Sequence, residues 1–224
     1  MKTIKEIMME FIRTWGGVNF SNTIAPCDKE ALKKYLTKIE SRSLAEPLHG
    51  NPEAGVYLLN GNPGSSARDL DFVGNTQMEE RFRKALNFLD TRMMWLENSE
   101  TIKDSLGRSY PAYEYFKRHF REVLKKKEDP DFCLIEYFPY HSKKSFSYPK
   151  HLPSYDCIDD LIRHAIASDK LIIIMRQKRT WMERIPELAT YKNCICVNSC
   201  QSAYISEKNL SRCGRAWDDI VSRF

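Results

Sequence analysis

The chain has 224 residues, of which 42% are hydrophobic and 12% aromatic, and it carries a formal charge of +5 at pH 7. These values exclude a fibrous or low-complexity protein and are typical of a single globular domain, residues 1–224, with a full core. No apolar run approaches the roughly 20 residues of a membrane span, and the N-terminus does not resemble a signal peptide. We therefore expect a cytoplasmic monomer without membrane contact, and seven irregularly spaced cysteines favour a reducing compartment.

Two helices are expected before any strand. Residues 3–15 place apolar side chains at helical spacing, and residues 28–42 form a second amphipathic pattern. Because each pattern has one apolar face, we expect this N-terminal segment, residues 1–50, to pack on the rest of the domain.

Four short apolar runs predict buried strands, and helical patterns separate them. The runs are residues 56–59, 132–135, 171–175 and 194–197. The helical patterns are residues 78–96, 112–127, 158–167, 181–188 and 206–224. Strands that are apolar throughout and alternate with helices are typical of parallel sheets covered on both faces. The sequence therefore predicts an α/β fold of three layers, αβα, around a central four-stranded parallel sheet.

Polar and aromatic side chains follow all four predicted strands. The first strand runs into Asn60-Gly61-Asn62-Pro63-Gly64-Ser65-Ser66, in which glycines permit close backbone approach and proline stops the strand. In an open parallel sheet, the loops at the carboxyl ends converge on one crevice. The residues expected to face a common ligand there are Asn62, Glu136, His141, Arg176 and Asn198.

Two titratable residues of this set each permit two interpretations. The pKa of a histidine near neutrality would allow His141 to act as acid or base, but histidines beside aromatic residues are often structural. An ionised Glu136 would repel the carbonyl oxygens of uracil and suit a base with amino groups, such as adenine, cytosine or guanine. The alternative for Glu136 is an ion pair with Arg176 or a nearby lysine.

Basic residues cluster in three places. Lys143 and Lys144 follow the second strand, and Arg176 and Lys178 follow the third, so both groups are expected on the ligand side of the sheet. We interpret them as contacts to a DNA backbone. The third cluster, residues 117–127, is equally compatible with a solvated helix face.

Three cysteines near the last strand have a spacing that suggests a metal site. Strand alternation, however, makes Cys194 and Cys196 small buried hydrophobic residues, and no fourth ligand accompanies Cys200 at zinc-like spacing. We therefore expect no metal and no cofactor.

Three features of the chain resemble the uracil-DNA glycosylase superfamily. Residues 61–67, Gly-Asn-Pro-Gly-Ser-Ser-Ala, look like the first active-site motif of its mismatch-specific branch. Residues 198–206 are similar to the second motif, which is rich in serine and opens the final helix. The order and spacing of the four strands agree as well, so that the resemblance covers about two thirds of the chain.

The resemblance implies a function and a role for each motif residue. Asn62 would position the water that attacks the anomeric carbon of a flipped deoxynucleotide, and Phe72 would either stack on the base or belong to the core. Backbone groups around Pro63 would border the base pocket; the residues concerned are Gly61, Pro63, Gly64 and Ser65. The second motif would contact the minor groove and fill the gap left by the base, through Asn198, Ser202 and Tyr204.

Departures from the family pattern keep other functions open. Asn60 stands where the family has glycine, Ser199 and Cys200 replace a Pro-Ser pair, and Glu136 replaces a common asparagine. One alternative is a nucleic-acid or nucleotide binding protein that keeps the fold without base excision. Another is an unrelated flavodoxin-like domain, whose pocket would hold phosphate or flavin.

Overall fold

The computed structural model describes residues 2–96, 101–142, 144 and 146–224. Its strands are β1 (Leu48–Gly50), β2 (Val56–Leu59), β3 (Cys133–Ile135), β4 (Leu171–Ile174) and β5 (Cys194–Cys196). Its helices are α1 (Ile4–Trp15), α2 (Lys29–Leu32), α3 (Thr76–Leu86), α4 (Pro111–His119), α5 (Arg121–Leu124), α6 (Tyr155–Ala167), α7 (Lys178–Arg184), α8 (Glu207–Leu210) and α9 (Trp217–Ser222). The fold is mixed α/β, as the alternation of patterns predicts.

The sheet has the strand order β1-β3-β2-β4-β5 within the described part of the chain. The four strands expected from the apolar runs are present, and every pairing among them is parallel. Strands β2 and β4 lie at the centre and are buried along their whole length, which explains why their sequences are apolar on both faces.

The prediction of four strands was wrong, because β1 adds a fifth strand that runs antiparallel to β3 at one edge. This strand has three residues and contains His49, so it shows neither alternation nor an apolar run. It ends at Gly50, whose φ of 88° lies in the left-handed region. A Cβ at Gly50 would stand 2.0 Å from the carbonyl oxygen of Phe132, so the close pairing of these strands requires glycine.

Several helices are shorter than their patterns predict. The pattern at 28–42 yields only α2, flanked by 3-10 turns at Pro26–Asp28 and Lys33–Tyr35. The pattern at 78–96 ends at Leu86, because Phe88 adopts a positive φ of 53°. The last pattern divides into α8 and α9 around Gly214.

The N-terminal segment is attached to the rest of the fold by apolar packing and by one buried carboxylate. Helix α1 packs against α6, and the indole of Trp15 lies 6.0 Å from the ring of Tyr140. Asp28 is fully buried and accepts hydrogen bonds from the hydroxyl of Tyr140, 2.7 Å, and the amide of Ser154, 2.9 Å. These bonds join the segment to the loops that follow β3.

Among the described residues, no helix combines the length and the apolar character that crossing a bilayer requires.

Candidate functional site

A cavity of about 430 Å³ opens at the carboxyl ends of β2, β3 and β4. Loops after these strands and one face of α4 form its walls. The sequence-predicted residues that line it are Asn62, Pro63, Gly64, Ser65, Glu136, His141 and Arg176. They come from three separate loops and meet because parallel strands end at the same edge of the sheet.

The side chain of Asn62 is held on both sides. Its Nδ2 donates to the hydroxyl of Ser142 and to the carbonyl of Pro63, each at 2.8 Å, and its Oδ1 accepts from the hydroxyl of Tyr148. A carbonyl oxygen has two lone pairs, so one lone pair of Oδ1 is still available for a water or ligand. The amide is therefore fixed in orientation, with one acceptor position left.

Glu136 is buried and makes one side-chain hydrogen bond. Its Oε1 accepts from Nδ2 of Asn60 at 2.8 Å, while its Oε2 is buried without a partner among the described residues. Burial raises the pKa of Glu136 to about 8, although the bond from Asn60 lowers it. At neutral pH the group is mainly a neutral carboxylic acid, and it has no ion pair with Arg176 in the described structure.

This protonation state reverses the expectation that the pocket repels carbonyl oxygens. A protonated Oε2 donates a hydrogen bond, whereas an ionised carboxylate only accepts. The reason that the expectation failed is burial, which favours the neutral form of a carboxyl group.

His141 is held between two acceptors in the wall of the cavity. Its Nδ1 lies 2.7 Å from the carbonyl oxygen of Gly64, and its Nε2 lies 2.9 Å from Oε1 of Glu46. A carbonyl and a carboxylate both require a donor, so both ring nitrogens are protonated. Burial lowers the pKa of His141, but the charge and hydrogen bond of Glu46 outweigh it, so the pKa lies above its usual value.

Glu46 also binds a second histidine. Its Oε2 lies 2.7 Å from Nε2 of His49, and the side chains of Glu46, His49 and His141 are all buried. Burial raises the pKa of Glu46, but the charge and bonds of His141 and His49 lower it to about 2. His141 is therefore a positively charged group that positions the Gly64 carbonyl, and it has no free nitrogen with which to accept a proton.

Four buried polar atoms in the wall of the cavity have no hydrogen-bond partner among the described residues. They are Oδ1 of Asn60, Oγ of Ser65, Oε2 of Glu136 and Nε of Arg176. An unsatisfied buried polar group costs about 1–3 kcal/mol, and native proteins contain few. Four such atoms around one cavity indicate that a polar ligand or ordered water binds there.

Several residues predicted for the site lie elsewhere. Phe72 is 1% exposed and packs edge-on against Tyr110, so it does not line the cavity. Gly61 lies behind the wall, where a Cβ would meet the side chains of Gln177 and Arg176. The aromatic residues that do line the cavity are Tyr110, Tyr115 and Phe116.

The residues of the expected second motif also lie outside this cavity. Asn198 donates to the carbonyl of Lys208 and the hydroxyl of Ser211. The carbonyl of Ser202 accepts from Asn209, whose side-chain amide organises the loop. The ring of Tyr204 stacks on His119 at 4.6 Å. This loop is thus closed by contacts within itself and with α4.

The basic residues and cysteines have different surroundings. Arg176 lines the cavity, Lys144 is exposed, Lys178 begins α7, and Lys143 lies outside the described residues.

Burial raises the pKa of Cys194 to about 12, which keeps it a thiol. Within the described parts of the chain, no group of three metal-ligating side chains is arranged so that it could hold an ion.

The site contains residues that sequence reasoning missed. Glu46, Tyr110 and Tyr115 line the cavity, although they do not follow any strand of the predicted sheet. Asn60 was noticed only as a departure from a motif. No sequence signal marked Glu46, because its partner His141 is 95 residues away.

Comparison with known proteins adds no family or relative to this description. No family model matches the chain, and no match was found among curated proteins or among solved structures.

Proposed function

We propose that this chain is a divergent uracil-DNA glycosylase-like enzyme that hydrolyses the N-glycosidic bond of a damaged or mismatched base in DNA. The observation that carries the proposal is the cavity in which Asn62 stands beside four unpartnered buried polar atoms. Its position at the carboxyl edge of a mostly parallel sheet suits a ligand that enters from outside, such as a flipped base.

The polar atoms favour a base with an oxo group beside a ring N–H. Protonated Oε2 of Glu136 can donate to the oxo group, and Oδ1 of Asn60 can accept from the N–H. Uracil, thymine, hypoxanthine and xanthine present this edge. Adenine and cytosine present an amino group beside an acceptor nitrogen, so both partners would face the wrong group.

The charges near the cavity favour a mechanism without a strong general base. Asn62 would orient the water through the remaining lone pair of Oδ1, and an amide cannot take up its proton efficiently. The base leaves as an anion with the electron pair of the glycosidic bond, the oxygen of the water bonds to the anomeric carbon, and the proton of that water passes to the departing base. The cations of Arg176 and His141 lie in the cavity wall and would stabilise that anion, although Glu46 offsets part of the charge on His141.

A second candidate function is a binding protein that keeps this cavity without base excision. The observation that favours it is the internal bonding of Asn62, whose amide hydrogens are both donated within the protein and whose oxygen has one of its two acceptor positions occupied by Tyr148. Such an amide would serve as a rigid part of a binding wall.

A base-release assay distinguishes the two functions. Labelled single-stranded and duplex oligonucleotides carrying uracil, hypoxanthine, xanthine, ethenocytosine or mismatched thymine are incubated with the protein and cleaved at abasic sites by alkali. We expect release of an oxo base, at least a hundredfold slower in Asn62→Ala because the water loses its orientation.

The matched control is Asn51→Ala, whose side chain donates to Asp131 before the amino end of β3, away from the cavity, and is expected to leave the rate within about threefold of the wild type. Absence of abasic product from every substrate, with tight binding of the same oligonucleotides by both variants, would favour the binding protein.

A further inference from the structure

Two further cavities continue from the candidate site along α4 and α5. One face of α4 lines the first cavity through Tyr115 and Phe116. A second cavity, of about 320 Å³, is lined by Arg118, Arg121 and Tyr204. A third, of about 660 Å³, is lined by Lys117, Arg121 and Lys125. Because Arg121 lines both, the second and third cavities adjoin.

A stack of three rings joins the first cavity to the second. The ring of Tyr115 lies 3.8 Å from that of His119, and His119 lies 4.6 Å from Tyr204, each pair nearly parallel. Tyr115 belongs to the first cavity and Tyr204 to the second. A polymeric ligand that leaves the first cavity across this stack would reach Arg118 and Arg121.

The basic side chains of this surface form no ion pairs in the described part of the chain. Lys117, Arg118, Arg121 and Lys125, which we call the basic tract, are exposed and form no ion pair within the described residues. Some exposed arginines elsewhere are paired, as in Arg83 with Glu80 and Arg163 with Glu187. Unpaired cations concentrated on one surface are typical of a site that binds a polyanion.

The acidic residues near the tract are few, and one has another role. Glu122 accepts from the backbone amide of Glu207, and Glu128 lines the third cavity. Lys126, next to the tract, pairs with Asp218.

The arrangement of the tract suits a phosphodiester backbone. Lys117 lies in α4, Arg121 begins α5 and Lys125 follows α5, and the three side chains line one cavity. A nucleic-acid strand carries a continuous row of charges, one per about 3.4 Å of duplex axis. A strand can therefore place successive or alternate phosphates along the tract.

We propose that the basic tract binds the phosphodiester backbone of the nucleic-acid strand that flanks the nucleotide in the first cavity. This inference rests on the proposed function in one respect: the strand is taken to enter the first cavity. It concerns binding alone, so it does not require that the protein releases a base. Contacts of this kind position the strand without reading its sequence.

The test is the salt dependence of DNA binding by the triple variant Lys117→Gln, Arg121→Gln, Lys125→Gln. Binding of fluorescent single-stranded and duplex 30-mers without a lesion is followed by anisotropy between 50 and 300 mM salt. We expect affinity about 10 to 100 times weaker near 100 mM, and a salt slope reduced by about 2 to 3, since each lost phosphate contact lowers it by about 1.

The matched control removes the same charge elsewhere, in Lys5→Gln, Arg13→Gln, Lys29→Gln. These residues are likewise exposed and unpaired in the described structure. Unchanged affinity in the tract variant, or an equal loss in the control, would overturn the proposal. The single variant Arg121→Gln, expected to bind about 3 to 5 times more weakly, serves if the triple variant folds poorly.

A competition experiment separates nucleic acid from other polyanions. Poly-L-glutamate of equal charge should compete at least tenfold less well than single-stranded DNA, and equal competition would overturn the assignment to nucleic acid. The probe is lesion-free DNA, so this binding result does not depend on base release. A failed base-release assay would therefore contradict only the proposed activity.

Discussion

The side chain of Glu46 is buried and binds two histidines, and this arrangement determines the charge of His141. A buried ion pair contributes little when compared with apolar packing, but removing one partner leaves the other charge buried and unpaired. His141 therefore acts on the site through its charge and through the carbonyl that it holds.

We predict that His141→Gln destabilises the protein by about 3 kcal/mol at pH 6. Because the pKa of His141 is raised in the folded state, the pair with Glu46 contributes its full stability below about pH 6.5. That stability is lost as the pH rises through the folded pKa of His141. The lowered pKa of Glu46 causes loss as the pH falls from about 4.5 towards 2. Urea unfolding at pH 6 and pH 9 should therefore give a smaller difference at pH 9.

The control for this variant is His151→Gln, because His151 is exposed. An equal destabilisation by His141→Gln at both pH values would show that the imidazolium charge does not contribute.

The pKa of Glu136 is raised, whereas the pKa of Glu46 is lowered, so the two groups affect stability with opposite pH dependence. A folded pKa of about 8 means that the folded state keeps a proton that the unfolded chain loses near pH 4.5. Its stabilising contribution is complete below about pH 4.5 and is lost as the pH rises through 8, by up to about 1.4 kcal/mol for each unit of pKa difference.

We predict that Glu136→Gln removes this pH dependence and makes the protein more stable than the wild type at pH 8.5. Parallel urea titrations from pH 5 to 9 measure it, with the exposed Glu114→Gln as control. Parallel pH profiles for wild type and Glu136→Gln would contradict a buried neutral carboxyl group.

At the scale of elements, β1 holds the edge of the sheet next to the site. Its pairing with β3 places Leu48 opposite Ile135, and the amide of Glu136 donates to the carbonyl of Pro47. The strand thus orders the residues that follow Glu46 and, through its pairing with β3, the residues that precede Glu136. Its end depends on the positive φ of Gly50.

We predict that Gly50→Ala costs about 3 kcal/mol, because the Cβ would collide with the carbonyl of Phe132 in a strained backbone conformation. Gly74→Ala is the matched control: its φ of 80° is similar, but no atom lies within 4 Å of the added Cβ. The control should lose only about 1 kcal/mol. Equal losses, measured by thermal unfolding, would mean that backbone strain alone accounts for the effect.

At the scale of the whole molecule, ligand binding and stability are linked. A ligand that binds only the folded state adds about 2.7 kcal/mol of stability at one hundred times its dissociation constant. For a chain of 224 residues, each kcal/mol raises the melting temperature by about 2 to 4 °C. Occupation of the first cavity is therefore measurable without any reaction.

We predict that saturating uracil or hypoxanthine raises the melting temperature by about 5 to 10 °C, and that adenine and cytosine raise it much less. The shift should disappear in Asn60→Leu, which removes the acceptor in the cavity wall. Thermal scans with each free base make the measurement; equal shifts for oxo and amino bases would contradict the assignment of the base edge.

The pattern of apolar runs was enough to predict the four parallel strands and the loops that form the site. Strands buried on both faces must be apolar throughout, so β2 and β4 are visible as runs, and the loops after parallel strands share one edge. Asn62, Glu136 and Arg176 could therefore be assigned to one crevice from their positions alone.

The fifth strand, the residues of the cavity wall and the protonation states depend on contacts that form only when the chain folds. Strand β1 is too short for a periodic signal, and Phe72 and Asn198 differ from cavity residues only in what surrounds them. The charge of His141 depends on Glu46, a partner 95 residues away, and that of Glu136 depends on burial. Local sequence carries propensity and pattern, whereas desolvation and contacts between distant residues exist only once the chain has folded.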